Sequence, residues 1–177
     1  MQNEASKIRR FLNELTVYIK REDRGALADL RHGFSKATAH RAWPYVARYC
    51  NLTWERDRAI WLTVAAGAAT QKDAGLFVKG NLGTVLRLIA GDGKNPTPDD
   101  LKSYDARFRR LLTCSDAEEL CIHLPGVLRT AARKGAPINY ERLFWDLCKW
   151  RKDDIGVQWA SDYWGAHTLL VGGGECE

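Results

Sequence analysis

Arginine is the residue type in this chain whose number and placement point most directly to chemistry. Of 27 basic side chains 17 are Arg, set against 22 acids, which leaves a formal net charge of +5 and a pI near 9.0. A guanidinium holds phosphate in a bidentate fork and stacks on bases, so an Arg-heavy surplus points to a polyanion. Arg107, Arg109 and Arg110 crowd one predicted helical segment. Arg129 and Arg133 are four apart, share a helix face and repel by roughly a few tenths of a kcal/mol, an arrangement suited to facing phosphates. Arg31 ends a short predicted helix, Arg56 and Arg58 stand in the first turns of a central one, and Lys79 sits on a loop. Arg142 and Lys149 flank Asp146 at helical spacing, so salt bridging competes with phosphate contact there.

Other chemistries find little to build on. His32, His40, His123 and His167 are scattered, with no HExxH or ExxH spacing. No G-x-S-x-G elbow, phosphate-binding loop or dinucleotide fingerprint follows a predicted strand, so an enzyme is not expected and no cofactor is implied. The five cysteines, 50, 114, 121, 148 and 176, are odd in number and form no CxxC pair, which fits reduced thiols. Cys114, Cys121, His123 and Cys148 lack the close pairing of structural zinc ligands, and no metal is expected. Cys50, Cys121 and Cys148 read as small apolar residues beside buried helix faces. Most tryptophans, among them Trp43, Trp61, Trp150, Trp159 and Trp164, fit apolar stripes. Trp145 stands one position off its stripe and is the candidate interface aromatic.

The elements that must position these groups are helices. Leu and Ala number 41 against 15 for Val and Ile, and 45% apolar with 28% charged residues describes a folded chain rather than a disordered one. Ile8, Phe11, Leu12, Leu15, Tyr18 and Ile19 recur at three- and four-residue steps. Short helices are expected around Gly25 to His32 and from Trp43-Pro44, with a loop from Gly33 to Arg41 between them. A mostly apolar helix from Glu55 to about Thr70 forms the centre of the first half, and a shorter one carries Leu82, Val85, Leu86 and Ile89. Gly91 to Pro96 breaks regular structure mid-chain.

Beyond it, Thr97 caps a helix with Pro98 at its first position. Ser115 with Glu118 predicts a capping box for the next helix, which Pro125 should kink or divide. Asn139 caps the helix of Tyr140 to Trp150, and a last helix starts at Asp153 or Asp154. The reading is all-α: a two-lobed helical bundle of roughly eight or nine helices, with an N-terminal lobe over 1–92, a C-terminal lobe over 97–171 and a flexible tail at 172–177. No apolar run reaches the ~18 to 20 residues of a membrane span. The first residues read as amphipathic helix without a secretory layout, so a cytoplasmic location is expected.

The ordered runs Gly25-Ala-Leu-Ala-Asp-Leu-Arg31, Ala42-Trp43-Pro44, Trp54-Glu55, Ala65-Ala66-Gly67 and Asn81-Leu-Gly83 resemble the CasB family, the small subunit of type I-E CRISPR Cascade. So do Arg107-Phe-Arg-Arg-Leu-Leu112, Leu124-Pro-Gly-Val-Leu-Arg129, Asn139-Tyr-Glu-Arg-Leu143 and Trp159-Ala-Ser-Asp-Tyr-Trp164.

The resemblance spans Gly25 to Trp164. It implies a two-lobed helical, non-enzymatic protein, present as a homodimer within the complex. Its partners would be other Cascade subunits, crRNA and target DNA, whose target and displaced strands it would help hold in the R-loop. Arg31, Arg107 and Arg129 match the family's basic positions best, and one of Arg56 and Arg58 is the expected equivalent of another. Two further readings stand beside this one: a pure scaffold subunit, and a stand-alone helical DNA-binding protein.

Overall fold

Every residue from Ile60 through Ala69 is buried, which only a helix surrounded on all sides can achieve. In a computed structural model, describing residues 2–71, 76, 78–94 and 96–165, this helix is the axis around which the others pack. In chain order the elements are α1 Gln2–Lys20, α2 Arg24–Arg31, α3 Trp43–Val46, α4 Glu55–Thr70, α5 Leu82–Ala90, α6 Pro98–Leu112, α7 Ala117–Arg133, α8 Tyr140–Cys148 and α9 Ile155–Trp164. The described residues contain no strand, and the fold is all-α. No helix among them is long and apolar enough to cross a membrane. The expected tail at 172–177, the end of the second lobe at 166–171, His167 and Cys176 lie outside the described residues.

α4 is covered by α1 and α2 on one side and by α7 and α8 on the other, while α5 packs against α6, α7 and α9. Small residues allow the close approaches. A Cβ on Gly67 would come within 2.8 Å of Leu128 and Tyr140, and one on Gly83 within 2.1 Å of the Trp159 carbonyl oxygen. Trp61 lies at the centre, 4.8 Å from Phe144 of α8 and 5.6 Å from both Phe11 of α1 and Tyr49. The buried interior is therefore continuous across the 91–94 turn.

Local signals explain most helix starts. Thr97 and Asp100 form a reciprocal capping box at α6, and the Asn139 side chain accepts from the Arg142 amide at α8.

Three details depart from the sequence reading, and a fourth, the kink or division expected at Pro125, is narrowed by a helix that is not divided. The cap of α7 is Asp116, one residue later than Ser115, because Asp116 accepts from the Glu119 amide while Glu119 reaches back to the Ser115 amide. α7 also runs undivided through Pro125. The lost hydrogen bond costs about 3 kcal/mol, which burial of Leu120, Leu124, Val127 and Leu128 on both sides of the proline offsets. The stretch expected as a loop after α2 contains two 3-10 turns, His32–Phe34 and Ala39–Arg41, held by Arg41 bonding to Asp29 and His32. Finally, Trp43 and Trp164 are not core: both are partly open to solvent, whereas Trp61, Trp150 and Trp159 are buried.

Candidate nucleic-acid interface

The pattern of α7 sets the site. Its inner face buries Leu124, Val127, Leu128 and Ala131, which leaves Ile122, Gly126, Arg129 and Arg133 on the outer face. α4 and α7 run in the same direction: Gly67 lies against Leu128, and further along both, Gln71 Nε2 donates to the Ala136 carbonyl at 3.1 Å. Their C-terminal ends therefore lie together, and two sets of unsatisfied carbonyls make that end favourable for cations. Arg31, at the end of α2, answers this by donating its Nε to the Ala69 carbonyl at 2.8 Å. The 3-10 turn that follows Arg31 carries Phe34, and the Arg129 guanidinium lies 4.9 Å from that ring.

α6 lies beside α7. It runs antiparallel to α7, since Arg110 Nε donates to His123 Nε2 at 3.2 Å near one end and Lys134 Nζ lies 5.8 Å from the Tyr104 ring near the other. Arg107 stands 5.9 Å from that same ring. Tyr104 thus stands against both Arg107 and Lys134, while Phe34, three residues after Arg31, stands against Arg129. Lys134 is itself bound to Asp92 at 3.1 Å and to the Ile89 carbonyl at 3.0 Å, and the Asp92 bond holds its ammonium pKa up.

The remaining candidates fall elsewhere or are engaged. Arg109 is paired with Asp105 at 3.0 Å and lies 4.8 Å from the Trp164 ring. Arg110 faces Glu119 at 3.7 Å as well as His123. Arg142 donates to Asp146 and to Gln158, each at 2.6 Å, and Lys149 pairs with Asp153 at 2.8 Å. Arg56 donates to the Cys148 carbonyl at 2.7 Å and Arg58 to that of Leu52 at 2.5 Å. Both stand in the first turn of α4, roughly 17 to 20 Å along its axis from Ala69, so the structure does not bring them to the Arg31 end. Lys79 is exposed on the segment before α5. Among the described residues, no carboxylate forms a salt bridge with Arg31, Arg107, Arg129, Arg133 or Lys79.

Asp146 is the one buried acid in this set. Burial pushes its carboxyl up, and hydrogen bonds from Trp159 and Arg142 partly offset that. Trp145, the expected interface aromatic, is half-buried 5.3 Å from Phe144. Of the cysteine and histidine set weighed for metal, Cys121 lies against α4, and burial pushes its thiol up to about 12. Cys114 and His123 instead meet Glu119, one ligand atom of each within 4.8 Å of the others.

Compared with known protein families, residues 26–164 match the one described as CRISPR-associated protein Cse2. The chain belongs to the Cse2 family. No curated protein and no solved structure matches it. The Cse2 match takes in every basic candidate from Arg31 to Lys149, while α1, with its Arg9–Glu141 pair at 2.6 Å, lies outside it. It is the same family that the ordered sequence runs resemble under the name CasB.

Sequence reasoning missed the beds on which the Cse2 arginines rest. Phe34 is 95 residues from Arg129, beyond any local pattern. Tyr104 was legible from its i,i+3 spacing to Arg107, but its place on the apolar stripe reads as core, and the structure leaves it half-exposed.

Proposed function

We propose that this chain is the small, non-catalytic subunit of a Cascade complex, associated with the other Cascade subunits, and that it binds nucleic-acid backbone without reading sequence. The observation that carries this reading is that Arg31, Arg107, Arg129 and Arg133, drawn from α2, α6 and α7, pair with no carboxylate among the described residues, and that two of them lie against aromatic rings. A ring bed orients a guanidinium without neutralising it, so the charge stays available to phosphate. In an RNA-guided complex base pairing reads the sequence, and a subunit that steadies target and displaced strands in the R-loop needs only to recognise backbone. In this reading the subunit is cytoplasmic and pairs with a second copy inside the complex. Arg109, Arg110, Arg142 and Lys149 shape the protein more than they hold the ligand.

The competing reading is a scaffold whose arginines meet acidic surfaces of neighbouring subunits. Ile122 favours it, being 62% exposed on the same outer face of α7 as Arg129. Reconstituting the complex with Arg107→Glu and Arg129→Glu separates the two. Assembly that survives while target retention fails supports backbone binding. Assembly that fails before target is added supports the scaffold.

A further inference from the structure

We infer that Cys114, Glu119 and His123 form a binding site for a soft or borderline divalent cation of the Zn2+ or Co2+ type, at the junction of α6 and α7. A thiol, a carboxylate and an imidazole each bring one ligand atom within 4.8 Å of the other two. Glu119 and His123 are four apart, so they share a face of α7 and form the helical half of a chelate. Cys114 enters from the turn after α6, whose position is fixed because Trp150 Nε1 donates to the Cys114 carbonyl at 3.1 Å. Tetrahedral ligands at ordinary zinc distances lie about 3.3 to 3.8 Å apart, so closing the set takes side-chain movements of about an ångström. Sulfur and nitrogen donors with a single carboxylate select zinc-like metals over magnesium or calcium, and three protein ligands leave a position for water.

The cluster already holds a cation. Arg110 donates to His123 Nε2 and faces Glu119, so a guanidinium occupies the region between the imidazole and the carboxylate. The carboxylate accepts hydrogen bonds from the Ser115 amide at 2.7 Å and from the Ser115 hydroxyl at 3.0 Å. His123 Nε2, as the acceptor of an Arg N–H, carries a lone pair on the side that faces the cluster. Metal binding exchanges one cation for another: the Cys114 S–H proton is released to solvent, the metal takes the sulfur, and Arg110 is displaced. The released guanidinium then stands one turn from Arg107 on the exposed side of α6.

The test uses the untagged full-length chain and Co2+ alone. One equivalent should bind and give a thiolate-to-cobalt charge-transfer band, lost on adding Zn2+. Cys114→Ser should abolish that band, His123→Gln should weaken binding about tenfold or more, and Arg110→Ala should tighten it by removing the competing cation. Far-ultraviolet circular dichroism of each variant confirms that the helices are retained. Absence of stoichiometric binding overturns the inference, as does a band that persists in Cys114→Ser. Binding seen only in Arg110→Ala overturns it too, because Arg110 is then the cluster's own permanent cation.

Discussion

Each arginine in this chain is defined by what its guanidinium already touches. Arg107 and Arg129 lie over rings and face water. Replacing both by Ala should weaken target retention about equally for all target sequences. It should also flatten the slope of log affinity against log salt by about 1.4, at about 0.7 per phosphate contact on a single strand. Affinity titrations at several salt concentrations on unrelated targets check this, and a loss confined to some sequences contradicts it.

Arg142 is the opposite case, because its partner Asp146 is only 2% exposed. A carboxyl whose folded pKa is raised contributes stability that is full below its unfolded pKa and is lost as pH rises through the folded value. Arg142 limits that loss. Arg142→Ala should therefore destabilise more at about pH 7 than at about pH 4. At neutral pH the expected loss is about 2 kcal/mol, less than for a fully buried pair because the guanidinium is half in water. Urea denaturation at the two pH values measures the difference.

Among the elements, the close approaches and the open faces make opposite predictions for the same substitution. Gly83→Ala places a methyl group against the Trp159 backbone and forces α5 away from α9, so at least about 2 kcal/mol of stability should be lost. Gly126 lies on the outer face of α7, where an added Cβ meets nothing. Gly126→Ala should stabilise by roughly 0.5 to 1 kcal/mol through helix propensity and leave nucleic-acid binding unchanged; thermal melts of the two variants give the comparison. At this scale the sequence was readable where the physics is local. Thr97, Asn139 and the apolar stripe of α7 each act over three or four residues. The division of the arginines was not readable, because Arg31 finds Ala69, Arg56 finds Cys148 and Arg129 finds Phe34 only after the chain has folded. The local Arg109–Asp105 pair was open to reading in the same way as Arg142–Asp146, since both are i,i+4.

For the molecule as a whole, the decisive feature is that the surface arginines come from both sides of the 91–94 turn. Arg31 and Phe34 precede it, while Arg107, Arg129 and Arg133 follow it. Their relative positions are fixed through a shared interior in which α4 is wrapped by α7 and α8, and α5 by α6 and α9. Residues 1–92 alone would expose the faces of α4 and α5 that those helices cover, including Trp61 where it meets Phe144. Apolar surface on that scale cannot be left in water by so short a chain. We therefore expect the two halves to behave as one cooperative unit. Unfolding of the full chain followed by far-ultraviolet and by near-ultraviolet circular dichroism should give coincident transitions. The 1–92 fragment should lack the near-ultraviolet signal of packed aromatics and bind a hydrophobic dye. Two separated transitions, or a fragment with native-like aromatic signals, would mean that each half folds alone and that the arginine surface can change shape about the 91–94 turn. Coincident transitions would mean that its spacing is rigid, and that a destabilising core substitution such as Gly83→Ala lowers target retention only in proportion to the fraction of unfolded protein.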